Sequence, residues 1–236
     1  MEPHPARSDA VPRRAVLAGA GALAATALAG CLGGGSGGGE GTADGGTPIA
    51  DHPAAAGLAD QPLKGPDPFE SDAVIIAFED PSCTRCRAFE RNTVPQIEAE
   101  LIEPGLASLA FRGYPVVYEW GGPATHALEA TFARDADAFW ALKDHYYANQ
   151  PDFDAENVLG LTREFLAAET GVDADAVVDD VESGATDAAV QADLDAGMNA
   201  GAGRTTPTVF LFRDGRYRTK AAGSVSFSVV KNALGL

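Results

Sequence analysis

The chain has 236 residues, 45% of them hydrophobic, with a formal net charge of −17 and a pI near 4.4. That supports one packed domain of moderate size with extra segments, and not comfortably two. So acidic a surface repels phosphate backbones, which argues against nucleic-acid binding. The three cysteines, Cys31 and the close pair Cys83 and Cys86, do not form a disulfide-stapled scaffold.

In chain order, Arg13 and Arg14 precede a small-residue and apolar run, Ala15 to Gly30. The run is shorter than the roughly 20 residues a spanning helix needs. It fits the core of a signal peptide, and the paired arginines fit a twin-arginine export signal. The run ends Leu28-Ala29-Gly30-Cys31, which resembles a lipobox, so Cys31 is the expected lipidation site. Ordinary cleavage near Cys31, or a retained anchor, is the alternative. Residues 32–48 are dominated by Gly with Ser, Thr and Asp, a flexible tether. The expected division is therefore a signal peptide with lipobox over 1–31, a tether over 32–48 and a folded domain over 49–236.

Residues 48–72 read as irregular, with room for one short strand. Ala73 to Phe78 is a continuous apolar run whose length and β-branched content predict a buried central strand. Ser82 is a candidate cap for a helix over residues 83–102, kinked at Pro95. Leu106 to Phe111 predicts a second buried strand. Residues 123–149, 155–169, 173–183 and 186–200 predict helices, the block of about 122–202 forming an insertion. Thr208 to Phe212 and Tyr217 to Ala221 predict two strands joined at Asp214-Gly215, a hairpin signal. Ser226 to Leu234 predicts a closing helix.

Cys83-Thr84-Arg85-Cys86 falls where a strand gives way to a helix. A helix amino end presents free N–H groups and a positive dipole, both favouring a thiolate. Arg85 and Arg87 add positive charge. The expected Cys83 pKa lies below the free value of about 8.5. Cys83, at an exposed helix start, is the expected attacking thiolate, and Cys86, one turn inside, the resolving thiol. Half of a zinc site would need two further ligands, and His52, His126 and His145 are widely spaced with no second cysteine pair. A purely structural disulfide is the other alternative, although so small a ring constrains the unfolded chain little. No metal and no cofactor are expected.

The buried strand, Phe78-Glu79-Asp80-Pro81-Ser82-Cys83-x-x-Cys86 and the kinked helix resemble the thioredoxin-like superfamily. The helical block, and Gly203 to Phe210 before a strand, look like its DsbA-type branch. The resemblance spans residues 70–236. It implies an α/β fold with a helical insertion between the two halves of the sheet. It makes Pro207 a cis proline facing the cysteines. Thr206 would then offer its backbone N–H and C=O to an extended substrate, beside Thr84 and Arg85. Proline at that point would also help keep the dithiol free of metal. Many such enzymes carry Pro-His between the cysteines where this chain has Thr84-Arg85. The buried acid beneath the pair has no clear match, and Glu79 and Asp80 read as turn residues.

The implied function is a lipid-anchored, extracytoplasmic thiol–disulfide oxidoreductase. Its partners would be exported proteins with thiols or disulfides and a membrane redox partner. A membrane-tethered dithiol reductase, serving cytochrome maturation or thiol repair, and a non-catalytic peptide-binding module are the alternatives. Thirteen Arg against four Lys on an acidic chain resemble proteins adapted to high salt, such as those of haloarchaea. Tyr118 and Trp120 read as core or loop packing, though they could line a peptide groove. Phe132, Phe139, Trp140 and Tyr146 read as the core of the helical block. His126 and His145 read as surface or capping residues.

Overall fold

A computed structural model describes residues 46–236. Cys31, the expected export signal and most of the expected tether lie outside the described residues. Thr47 and Pro48, at the end of the expected tether, lie against the strand at Arg216 and Tyr217.

The described residues open with three short 3-10 turns, Ile49–Asp51, Pro53–Ala55 and Leu58–Asp60. A five-stranded sheet follows: β1 (Leu63–Lys64), β2 (Ala73–Glu79), β3 (Ala107–Gly113), β4 (Thr208–Arg213) and β5 (Arg216–Ala222), in spatial order β1-β3-β2-β4-β5. β2 is central, parallel to β3 and antiparallel to β4. The β2–β3 pairing is the crossover expected for a strand–helix–strand unit. The hairpin signal is realised: Asp214 and Gly215 both take positive φ, 53° and 69°, as a tight turn between twisted strands requires.

Both faces of β2 are buried, which is why its sequence is continuously apolar rather than alternating. Ala73, Ile75 and Ala77 pack with Phe89, Ile97, Val230 and Leu234. Val74, Ile76 and Phe78 pack with Ile49, Leu58, Phe210 and Ala196. Full burial of each Val, Leu, Ile or Phe side chain among them stabilises by about 1.5–3 kcal/mol. One face is thus covered by α1 (Thr84–Asn92), α2 (Val94–Ile97) and α8 (Phe227–Leu234). The other is covered by the amino-terminal turns and α7 (Asp187–Asn199).

The helix expected over 83–102 is divided. α1 ends at Asn92, α2 starts at Val94 with Pro95 in its first turn, and a wider π turn spans Glu98–Ile102. Pro95 has no N–H to donate to Arg91, so the ladder breaks there. Ser82 does not cap α1. Cys83 is the capping residue, and the Ser82 hydroxyl donates instead to Asp80 Oδ1 at 2.6 Å.

The helical block contains α3 (Gly121–Phe132), α4 (Ala136–Ala148), α5 (Val158–Glu169), α6 (Ala174–Ser183) and α7. The single helix expected over 123–149 is two, because the Asp135 carboxylate accepts from Ala138 N at 2.7 Å and starts a new helix. Phe139 and Tyr146 are buried in this block, with Phe132 and Trp140 half-buried against them, as expected. Trp120 is buried against Phe153, whereas Tyr118 is 59% exposed. His145 is half-buried in the last turn of α4, stacked on Phe165 at 4.0 Å and with its Nδ1 3.0 Å from the side chain of the capping Asn149. His126 is half-buried, its Nδ1 2.8 Å from Thr186 Oγ1.

Candidate active site

At the carboxyl end of β2 the chain turns through Asp80. Asp80 is fully buried, and its Oδ1 accepts from Ser82 N and Ser82 Oγ. Its Oδ2 accepts from Val116 N at 2.8 Å and Val117 N at 2.7 Å. One carboxylate therefore fixes both the turn into α1 and the loop after β3. Gly121 packs on it so closely that a Cβ there would come within 2.4 Å of Asp80 Oδ1.

Cys83 caps α1, with its carbonyl accepting from Arg87 N at 3.0 Å. Its thiol donates to the carbonyl of Thr206 at 3.4 Å, and the Thr206–Pro207 bond is cis. The cysteine pair and the Thr-Pro element, 123 residues apart, thus meet in space as the resemblance implied. Both thiols are free.

The environment splits the two sulfurs. The Cys83 pKa falls to about 5. The largest cause is a hydrogen bond from the Cys86 thiol; burial opposes it, and the Thr206 side chain and the backbone N–H groups of Cys86 and Arg85 add to the lowering. The Cys86 pKa is pushed up by burial, by Cys83 and by the charge of Glu79.

Three expectations are corrected here. The arginine charges do not drive the shift: Arg87 turns away to donate from Nε to Tyr147 O at 2.9 Å, and Arg85 enters through its backbone N–H alone. Cys83 is not exposed. It is 2% accessible, tucked under the Thr206 carbonyl and the helical block, while its neighbours Thr84 and Arg85 are exposed. Thr206 is likewise fully buried in this dithiol state, its carbonyl already engaged by Cys83 rather than open to solvent. The physical reason is common to both: the thiol–carbonyl bond closes the two segments on each other.

A buried acid does lie beneath the pair, and it is Glu79, not a turn residue. Glu79 ends β2 and is 1% exposed. Burial is the largest cause of its strongly raised pKa, with the Glu90 charge adding and Lys143 opposing. Lys143, also buried, ion-pairs with Glu90; burial works against its charge, but Glu90, Asp144 and Glu79 outweigh it and raise its pKa. The signal for Glu79 was strand parity: Ala73, Ile75, Ala77 and Glu79 share one face, the face that carries α1. Gln150 was also missed. Its Nε2 donates to Pro81 O at 2.8 Å and Cys83 O at 3.0 Å, holding the turn from the far side. Nothing local to Gln150 in the sequence announces that contact.

Residues 69–225 match the family described as Thioredoxin. Disulfide bond formation protein D of Bacillus subtilis (strain 168) is 26% identical over 175 residues, covering 72% of this chain and 74% of that protein. The probable disulfide bond formation protein D of Bacillus cereus is 30% identical over 76 residues, covering 32% of this chain and 35% of its own. Among solved structures, oxidised BdbD from Bacillus subtilis superposes with a TM-score of 0.65 at 20% identity, covering 75% of this chain and 92% of that one. Wolbachia pipientis alpha-DsbA1 gives 0.62 at 20% identity, covering 74% and 89%. With a cysteine pair at a helix start facing a cis Thr-Pro bond, the chain belongs to the thioredoxin family, as a protein thiol–disulfide oxidoreductase with the fold of the DsbA structures.

Proposed function

We propose that the chain oxidises cysteine pairs in exported proteins, held by a lipid on Cys31 at the outer face of the cell membrane. The observation that carries this reading is the opposite displacement of two sulfurs one helical turn apart, Cys83 down to about 5 and Cys86 up. A stabilised Cys83 thiolate stabilises the reduced enzyme and so makes its disulfide oxidising.

In the disulfide form, a substrate thiolate attacks Cys83 and displaces Cys86, which takes up a proton. The second substrate thiolate then attacks the substrate sulfur of the mixed disulfide, and Cys83 leaves as a thiolate. The substrate dithiol becomes a disulfide and the enzyme disulfide becomes a dithiol. A low-pKa sulfur leaves fast, which suits Cys83 to this role. Re-oxidation runs the other way: the Cys83 thiolate attacks the disulfide of a membrane redox partner and Cys86 resolves the intermediate.

Ionised Cys83 has no proton to donate to Thr206. The freed carbonyl, beside Pro207, can then accept from the backbone of an extended substrate, with Thr84 and Arg85 on the open side. The signal, lipobox and Gly-rich tether in the sequence support the location, and no described helix is long and apolar enough to cross a membrane. The scarcity of Lys and the acidic surface fit work in high salt.

The test is to mix the disulfide form with a reduced, normally disulfide-bonded exported protein. Wild type should oxidise it and Cys83→Ser should not. A potential near about −120 mV supports oxidation, whereas one near about −270 mV would turn the assignment to a dithiol reductase.

A further inference from the structure

The chain carries −17, yet its charge is unevenly spread. From residue 196 to the carboxyl terminus the only acidic side chain is Asp214, against six basic ones: Arg204, Arg213, Arg216, Arg218, Lys220 and Lys231. This segment holds the Thr206–Pro207 element, β4, β5 and α8.

Among the described residues, all but three Lys and Arg side chains contact a carboxylate or a backbone carbonyl. The three are Arg85, Arg91 and Arg204. Arg91 lines a cleft with Glu90, Glu98 and Asp144, so carboxylates surround it. Arg85 and Arg204 form no ion pair with a carboxylate; Arg85 lies between the cysteines, and Arg204, in the segment leading to Thr206, faces the Tyr114 phenol.

Arg85 sits between the cysteines and is exposed; its Nη1 lies 3.7 Å from where a Cβ on Gly223 would stand, and Gly223 N donates to Pro207 O at 2.8 Å. Arg204 is exposed two residues before Thr206. Lys220 reaches the same loop, at Gly201 O. Arg85 also lines a groove of about 240 Å³ between α1 and the loop before α8, whose other walls, Ala88, Phe89, Asn92, Thr93 and residues 224–226, include no carboxylate. A guanidinium with five donors and no carboxylate partner is a ready carboxylate receptor.

We propose that Arg85 and Arg204 select substrate segments bearing Asp or Glu beside the reacting cysteine, so that the preferred substrates are acidic polypeptides. Local positive charge at the site offsets the repulsion that a chain of −17 otherwise exerts on such substrates. This rests on Cys83 being the reacting sulfur.

The experiment uses three dithiol peptides, alike except for Asp/Glu, Ser/Gln or Lys flanking each cysteine, oxidised by the disulfide form of the protein. Wild type should favour the acidic over the lysine peptide in kcat/KM by about tenfold, the effect of two directly contacted charge pairs. The double variant Arg85→Gln, Arg204→Gln should bring that ratio close to one, and Arg204→Glu should shift it toward the lysine peptide. Equal rates on all three peptides in wild type, or an undiminished ratio in the double variant, overturns the inference while leaving the oxidase reading intact. Failure to oxidise any peptide overturns that reading, and this one with it.

Discussion

The thiol of Cys83 donates to the carbonyl of Thr206 at 3.4 Å, joining the start of α1 to the turn before β4 across 123 residues of sequence. The same contact covers the sulfur and positions it, so its chemistry depends on what shares its surroundings.

Cys86 is the largest contributor to the lowered Cys83 pKa. Cys86→Ala should therefore raise the Cys83 pKa above about 5, by roughly one unit or more, the scale of one hydrogen bond to a charged group. The thiolate absorbance of the variant, followed against pH, reads this directly. Given a disulfide-bonded partner, whose S–S bond the Cys83 thiolate opens with release of one partner thiolate, the variant should also accumulate the mixed disulfide, visible by mass spectrometry, because no second enzyme sulfur resolves it.

Reduction of the disulfide takes up two protons below the Cys83 pKa and one above it, since Cys86 stays protonated. The potential should fall by about 59 mV per pH unit below about pH 5 and by about 30 mV per unit above it. The linkage has the same sign. A depressed thiol pKa contributes stability that is complete above the unfolded pKa and is lost as pH falls through the folded one. The reduced form should thus lose about 1.4 kcal/mol of stability per pH unit, relative to the oxidised form, on going from pH 8 towards 5. Paired thermal melts of the two forms measure it.

Glu79 is buried with its pKa strongly raised, chiefly by burial. A carboxyl raised in the fold costs stability once pH exceeds its unfolded value. Glu79→Gln should therefore be more stable than wild type at neutral pH, with the difference vanishing near about pH 4, where the unfolded carboxyl is protonated too. It should also lower the raised pKa of Cys86, to which the Glu79 charge contributes. Denaturant melts at both pH values and the Cys86 titration check the two halves.

Arg112 and Asp193 form a buried ion pair at 2.7 Å, and Arg112 Nη1 also donates to the carbonyls of Ala54 and Ala56. Arg112→Ala should destabilise the domain by about 3–5 kcal/mol by leaving Asp193 buried without its counter-charge. Urea unfolding tests this, and the Cys83 pKa should stay near about 5, since Arg112 is absent from its causes.

Much of this architecture is legible in the sequence because its signals are local. The apolar run of β2, the Asp214-Gly215 turn and the Cys-x-x-Cys at a strand end each specify their own structure. The Thr206-Pro207 element became legible through the family resemblance. What escaped was set by tertiary contact. The division of α3 from α4 turns on which backbone N–H the Asp135 carboxylate captures. Glu79 looked like a turn residue because the apolar run stops one position earlier, although strand parity carries it inward. The cover over Cys83 and the reach of Gln150 to Pro81 and Cys83 depend on segments more than sixty residues away.

The central claim, an ionised Cys83 paired with a protonated Cys86, is tested most directly by timed alkylation of the dithiol form with a small iodoacetamide, each cysteine followed by mass spectrometry across pH. The rate at Cys83 should rise to a plateau with its midpoint near about pH 5, while Cys86 stays unmodified. A Cys83 rate still climbing towards about pH 9, the ordinary thiol range, or a Cys86 that reacts as fast as Cys83, would contradict it.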